Sequence, residues 1–169
     1  MIIFEFSRHE DDPDELGPTG FDFGDMEVVG DLGDASSRDD GAGSMMIFVS
    51  VSMLLDELSS LIDRRRGGFD YLGMSSGFRL NFTLMKRRMR VRARRVEITD
   101  TDATQVLDAV WQAVTEFATQ QLPLLAPDDI GRTDLEYSMA KYSRALQRYA
   151  EAEPNPKARR ASAHVKFRT

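Results

Sequence analysis

Two neighbouring runs of strictly alternating residues constrain the fold of this chain more than any other feature. In the first run the apolar side chains are those of Phe78, Leu80, Phe82 and Leu84. In the second run, after a charged connection at 86–88, they are those of Met89, Val91 and Ala93. A side-chain period of two places alternate residues on opposite faces of a strand. The pattern therefore predicts a hairpin with one buried and one charged face, and a bulge at Arg94–Arg95 that carries the second strand on to Ile98.

The remaining patterns predict further strands and two or three helices. Strands are expected at 2–6, at 21–29 with a turn or bulge at Gly24–Asp25, at 45–51 and at 69–72. Helices are expected from an N-cap at Ser52, from capping side chains at 99–101, and from an N-cap at Thr133. The element order is β-β-β-α-β-β-β-α-α. This order predicts an α+β fold, with a mostly antiparallel sheet of about six strands and two or three helices packed on one face.

The chain length and local composition indicate one domain. We expect a single α+β domain over residues 1–152, because 169 residues suffice for one core. A mobile loop is expected at about 32–44, where small and acidic residues cannot bury apolar area. Residues 153–169 contain two prolines and scattered basic side chains, and they are expected to form a disordered basic tail.

Composition excludes several classes of protein. The chain contains no cysteine, which rules out disulfides and cysteine-ligated zinc. The N-terminal segment becomes acidic after six residues and lacks the basic start and long apolar run of a signal peptide. The longest apolar stretch, at 45–49, is too short to cross a bilayer. We therefore expect a cytoplasmic protein without a membrane partner.

Charge is distributed in blocks along the chain. Residues 1–40 carry 13 acidic and 2 basic side chains, whereas residues 41–99 carry 5 acidic and 11 basic ones. The net charge of the whole chain is -6. Blocks of opposite sign indicate attraction within the chain or toward a charged partner.

No residue pattern in the sequence is typical of catalysis. The two histidines, His9 and His164, fall in an acidic loop and in the predicted tail, where a positioned base is not expected. A metal site drawn from His9 and the neighbouring carboxylates matches no known ligand spacing. No phosphate-binding loop and no nucleophile elbow are present. The sequence predicts no catalytic residue, no metal and no cofactor, and therefore a protein that is not an enzyme.

A row of four arginines is the strongest candidate for a binding site. Arg88, Arg90, Arg92 and Arg94 alternate with apolar residues, which places them on one strand face, with Arg79 on the adjacent strand. Like charges in a row require an acidic counterpart. Three counterparts remain open: internal carboxylates, including the acidic N-terminal third lying across this face; an acidic protein partner; or nucleic acid. No aromatic residue is interleaved to stack bases, so nucleic acid is the least favoured.

The layout of the chain resembles a known group of bacterial proteins. The run 46–62, the hairpin beginning Phe69-Asp70-Tyr71 and the long helix from Ala103 are similar to small uncharacterised proteins found beside polymorphic toxins. The resemblance covers roughly residues 2–125 and rests on layout, so no contact residue is carried over from that group. It implies a cytoplasmic immunity protein that neutralises a toxin by occluding its active site.

Taken with the arginine row, these features predict a non-enzymatic protein-binding protein. The specific hypothesis is a bacterial immunity protein that binds one cognate toxin. The alternatives are a nucleic-acid-associated regulator that uses the arginine-rich face, and a structural subunit of a homo-oligomer.

Overall fold

The computed structural model describes residues 1–10, 17–39 and 41–152. The eight strands are β1 (Ile3–Arg8), β2 (Phe23–Val29), β3 (Asp34–Ser36), β4 (Met45–Met46), β5 (Gly67–Leu72), β6 (Arg79–Met85), β7 (Arg88–Ala93) and β8 (Val96–Asp102). The helices are α1 (Ile47–Arg64), α2 (Ala103–Gln121) and α3 (Ile130–Glu151), with a short 3₁₀ turn at Leu122–Leu124. The predicted disordered tail at 153–169 lies outside the described residues.

The strands form two antiparallel sheets of four strands each. In sheet A, β2 lies between β1 on one side and β3 and β4 on the other. Sheet B is a meander in the order β5-β6-β7-β8. The predicted α+β class is confirmed. The pattern predicts one sheet of about six strands, whereas the described residues form eight strands in two sheets.

One core joins both sheets and the helices. The inner faces contribute Phe4 from β1 and Phe82 from β6, whose rings stack with centroids 6.4 Å apart. Helix α1 packs into this core along one face, where Phe48, Leu55 and Leu58 are among its fully buried apolar residues. Helix α3 packs along α1, and α2 packs against β1 through Phe117, whose ring meets that of Phe6 edge-on at 6.3 Å.

The segment predicted as a strand at 45–51 is mostly helical. Only Met45 and Met46 pair with β2, and α1 begins at Ile47. The predicted N-cap Ser52 lies inside the helix, where its hydroxyl donates to the carbonyl of Phe48. The prediction was wrong because the start of α1 is a short continuous apolar run, and such a run is equally typical of a buried strand.

The predicted bulge at Arg94–Arg95 is a hairpin turn. Arg94 adopts the left-handed conformation with φ 49°, and the chain reverses there to form β8. The irregularity in strand pairing lies instead between Val91 and Arg92. This reversal produces an additional strand, β8, that the pattern did not predict. A two-residue turn between two strands and a bulge within one strand shift the alternation of apolar residues in the same way.

Three smaller differences from the predictions remain. Helix α3 begins at Ile130, three residues before the predicted cap Thr133, since the carboxylate of Asp129 accepts the N-cap hydrogen bond from the Arg132 amide. Gly24 and Asp25 form no turn and lie within β2. The segment 32–44, predicted to be a mobile loop, contains the three residues of β3.

Candidate functional site

The outer face of sheet B carries most of the predicted arginine row. Met89, Val91 and Ala93 are buried, so alternation turns Arg88, Arg90 and Arg92 outward. The register places Arg92 between Asn81 and Glu97, and Arg90 between Thr83 and Asp100. Arg79 of β6 is exposed on the same face, because its neighbour Leu80 is buried. We call these four residues, Arg79, Arg88, Arg90 and Arg92, the arginine face.

Arg94, the fourth residue of the predicted row, lies apart from the other three. It occupies the hairpin turn between β7 and β8, where its positive φ ends the alternation of the strand. Its side chain lines a small cavity of about 110 Å³ at the end of sheet B, together with Arg79, Phe78 and Ala35. The cavity has room for a few heavy atoms but not for an organic cofactor.

Carboxylates of β8 hold two members of the arginine face in place. Arg88 Nε donates to Asp100 Oδ1 at 2.8 Å, and Arg90 Nη2 donates to Asp100 Oδ2 at 3.0 Å. These hydrogen bonds, first from Arg90 and then from Arg88, hold the pKa of the Asp100 carboxyl below its usual value. Glu97 lies 3.8 Å from Arg90. The acidic counterparts within the described residues therefore come from the adjacent strand.

Positive charge remains in excess on sheet B. Residues 67–102 contain eight basic and four acidic side chains. Within the part of the chain that the structure describes, no carboxylate lies within 4 Å of the guanidinium of Arg79 or Arg92. Both side chains are exposed. The face thus presents two guanidinium groups held by Asp100, at Arg88 and Arg90, and two without a nearby carboxylate, at Arg79 and Arg92.

Apolar side chains flank the arginine face. Leu72 pairs in register with Arg79, and Met85 pairs with Arg88. Both are more than 40% exposed, although neighbouring apolar side chains of the same strands are buried. Arginine and methionine are both enriched in protein–protein interfaces relative to the rest of the surface. The sequence pattern identified the arginines but not these flanking residues, since single exposed apolar side chains carry no periodic signal.

A second polar cluster lies on the outer face of sheet A and centres on Asp25. The Asp25 side chain is 4% exposed, and it accepts hydrogen bonds from Ser37 Oγ at 2.7 Å and from Arg38 Nε at 3.1 Å. His9 Nε2 lies 2.6 Å from Asp25 Oδ2, the same oxygen that accepts the hydrogen bond from Arg38. We call Asp25, His9, Ser37 and Arg38 the Asp25 cluster. Sequence reasoning placed His9 in a solvated loop, whereas it is about half buried and bonded to a buried carboxylate.

The geometry of the Asp25 cluster does not activate a nucleophile. Ser44 Oγ lies 3.4 Å from His9 Nε2, the same ring nitrogen that meets Asp25. A serine–histidine–aspartate relay requires the hydroxyl and the carboxylate on different ring nitrogens. Burial raises the pKa of the Asp25 carboxyl, but hydrogen bonds from His9, Ser37 and Arg38 outweigh it and leave the pKa below its ordinary value. The cluster therefore ties segments of sheet A together.

The described residues offer no grouping of three or more histidine and carboxylate side chains that would ligate a metal ion. None of the helices in the described residues has the length and apolar character needed to cross a bilayer. His164, the second histidine of the sequence, lies outside those residues.

The fold and the site together define an α+β protein of two antiparallel sheets, with one open sheet face carrying excess positive charge. Comparison with known proteins adds no family to this definition. No family model, no curated protein sequence and no solved structure matches the chain.

Proposed function

We propose that this chain is a non-enzymatic protein-binding protein that uses the arginine face to bind an acidic surface of one cognate protein. The observation that carries the proposal is the excess of guanidinium groups over carboxylates on an exposed sheet face. Arg88 and Arg90 share one carboxylate, and Arg79 and Arg92 have none within 4 Å among the described residues. In its specific form, the partner is a toxin and the chain is a cytoplasmic immunity protein that covers the toxin's active site.

Rigidity of the face supports this proposal. The guanidiniums of Arg88 and Arg90 are positioned before any partner arrives, because Asp100 holds both on adjacent hydrogen-bonded strands. A preorganised surface loses less side-chain entropy on binding. Complementary charge also speeds encounter and selects among partners.

Protein is favoured over nucleic acid as the partner. The aromatic side chains of β5 and β6, including Phe69 and Phe82, belong to the inner side of the sheet and stack with each other at 5.0 Å. Stacking of bases on this face therefore has no aromatic platform.

The test is capture from the source organism, followed by a toxicity assay. The tagged chain and its Arg92→Glu variant are used as baits, with Arg144→Glu as the matched control, since Arg144 is exposed on α3 and undergoes the same charge change. We expect a protein partner whose affinity falls about tenfold or more for Arg92→Glu, which corresponds to about 1.4 kcal/mol, and is unchanged for Arg144→Glu. Co-expression should protect cells from that partner.

Three outcomes would contradict the proposal. The first is equal affinity of the partner for both variants, which would remove the arginine face from the interface. The second is preferential, salt-sensitive binding of DNA or RNA by the purified chain. The third is recovery of no protein other than a second copy of the chain. A partner that binds through Arg92 but shows no toxicity would support the proposed binding role and contradict the proposed immunity role.

A further inference from the structure

Strand β1 forms a free edge of sheet A. It pairs with β2 along its whole length, from Ile3 opposite Val29 to Arg8 opposite Gly24, and with no other strand among the described residues. An edge strand presents a row of backbone N–H and C=O groups that can template another strand. Natural edges are blunted by lysine, proline or a bulge, and β1, with the sequence IFEFSR, contains no lysine or proline and pairs in uninterrupted register.

The hydrogen-bond phase identifies which groups face outward. The His9 amide donates to the Phe23 carbonyl at 2.9 Å, and this pair continues the register of β1 with β2. In an antiparallel ladder, hydrogen-bonded and non-bonded pairs alternate. Odd-numbered residues such as Glu5 and Ser7 therefore bond to β2, whereas Phe4 and Phe6 direct their backbone groups to the open edge. No described group bonds to these outward groups.

A groove runs beside this edge. One wall is β1 itself and the other is helix α2, with Ala113, Glu116 and Gln120 along it. The groove comprises a cavity of about 470 Å³ beside Ile3–Arg8 and an adjoining one of about 340 Å³ toward Met1. Six residues of extended chain span roughly 20 Å, so the groove accommodates a short strand rather than a compact ligand.

The charge of the groove defines the chemistry of its occupant. Glu5 projects from β1 and Glu116 from α2, both exposed, and neither has an ion-pair partner within 4 Å in the described part of the chain. Among the described residues, Arg8 is the one basic residue that lines the groove, and its guanidinium bonds Asp22 at 3.1 Å and Gln121 at 2.9 Å. An occupant with basic side chains gains complementary charge on both walls.

We propose that the β1 edge binds an extended, basic segment of a partner protein as an added strand. Backbone hydrogen bonds to Phe4 and Phe6 supply the pairing, and Glu5 and Glu116 select for lysine or arginine. This site is independent of the arginine face, because it lies on the other sheet and takes the opposite charge. A second copy of the chain is disfavoured, since antiparallel pairing centred on Glu5 would place two glutamates directly opposite each other.

Hydrogen exchange of the full chain, read amide by amide with NMR, tests the proposal. The probe is an eight-residue peptide of alternating lysine and valine, compared with its glutamate–valine counterpart. Without peptide, we expect the Phe4 and Phe6 amides to exchange much faster than those of Glu5 and Ser7. With the lysine peptide, Phe4 and Phe6 should slow at least tenfold, while Asp70 and Leu72, which face outward on the β5 edge by the same alternation, should not change.

Charge variants provide the second arm. Glu5→Lys and Glu116→Lys should each weaken the lysine peptide about tenfold, whereas Glu57→Lys, at an exposed site on α1, should leave its affinity unchanged. The proposal is overturned if Phe4 and Phe6 are already as protected as Glu5 in the peptide-free monomer. Equal binding of both peptides, equal protection of the β5 edge, or protection that depends on protein concentration alone would overturn it as well.

Discussion

The outer faces of the two sheets use the same residue types to opposite effect. On sheet A, one arginine meets several acceptors: Arg38 contacts Asp25, Glu27 and Ser7, all at 3.0–3.2 Å. On sheet B, one carboxylate meets several arginines, because Asp100 bonds both Arg88 and Arg90. In the arrangement on sheet A, side chains of the protein itself satisfy the hydrogen bonds of a buried carboxylate. The arrangement on sheet B leaves positive charge exposed.

This difference separates a structural polar cluster from a candidate binding surface. A buried carboxylate with every partner present stabilises the fold, and its removal leaves unsatisfied groups. Exposed arginines contribute little to stability because solvent screens them, and they remain available to a partner. Four measurements would break or sharpen the comparison.

The largest effect is expected at the residue that joins the two sheets. Phe82 of β6 is fully buried and stacks against Phe4 of β1 and Phe69 of β5. Phe82→Ala should lower the free energy of unfolding by about 4 kcal/mol through lost burial and a residual cavity. Urea denaturation followed by circular dichroism would measure the loss. Thr83→Ala, on the outer side of the same strand, is the control and should change stability by less than about 0.5 kcal/mol.

The Phe82→Ala experiment also asks whether the two faces belong to one cooperative unit. Amide exchange in sheets A and B should accelerate together in the variant, since one core supports both sheets. Acceleration confined to sheet B would show that the two faces belong to separately stable units. The stability losses measured on the two sheets would then refer to different unfolding reactions.

The next largest effect is expected at the centre of the Asp25 cluster. Asp25→Ala removes the acceptor of Ser37 and Arg38 and should cost about 2 kcal/mol, the scale of hydrogen bonds to a charged group. The same denaturation assay applies. Glu27→Ala, which removes the partly exposed ion pair with Arg38 and a long hydrogen bond from Ser36 Oγ at 3.4 Å, should cost less than about 1 kcal/mol. Equal losses would indicate that burial of Asp25 contributes nothing.

The contribution of Asp25 should depend on pH in the acid range. Its pKa is lower in the folded protein than the ordinary value of 3.8, so the unfolded chain takes up the proton first. The stabilisation is fully present above pH 3.8 and is lost as the pH falls toward the folded-state pKa. The difference in unfolding free energy between the native chain and Asp25→Ala should therefore shrink as the pH falls below about 4. A difference that grew below that pH would contradict the lowered pKa of Asp25.

The smallest effect is expected for Asp100→Asn on sheet B. Hydrogen bonds from Arg90 and Arg88 lower the pKa of Asp100, but the group is accessible to solvent. The urea midpoint should shift clearly less than for Asp25→Ala, and the shift should vanish in 1 M salt, where the screening length is about 3 Å. A salt-independent loss as large as that of Asp25→Ala would make the arginine face a structural cluster like the one on sheet A.

Part of the fold followed directly from local sequence patterns. The alternation at 78–93 predicted β6, β7 and their buried faces, because a strand period of two is a property of neighbouring residues. The same alternation placed Arg88, Arg90 and Arg92 together. Arg94 was misplaced because a turn and a bulge produce the same change of phase, and only the pairing of β7 with β8 distinguishes them.

Other features required contacts between residues that are distant in the sequence. The start of α1 was mistaken for a strand because a short apolar run is typical of both elements. Only the packing of this segment against neighbouring elements distinguishes them. The Asp25 cluster brings together residues 9, 25, 37 and 38 across the β1–β2 and β2–β3 pairings, and no spacing in the chain signals that convergence. From the sequence alone, an aspartate on a strand is predicted to be exposed, because the segment that covers it is not identified by local pattern.

The sequence by itself therefore determined the α+β class and the side of the hairpin on which the arginines lie, since both depend on short-range periodicity. Tertiary structure decided the division into two sheets, the internal pairing of Asp25 and the surplus charge at Arg79 and Arg92. The physical reason is that side-chain direction is local, whereas burial and ion pairing depend on which distant segment packs alongside.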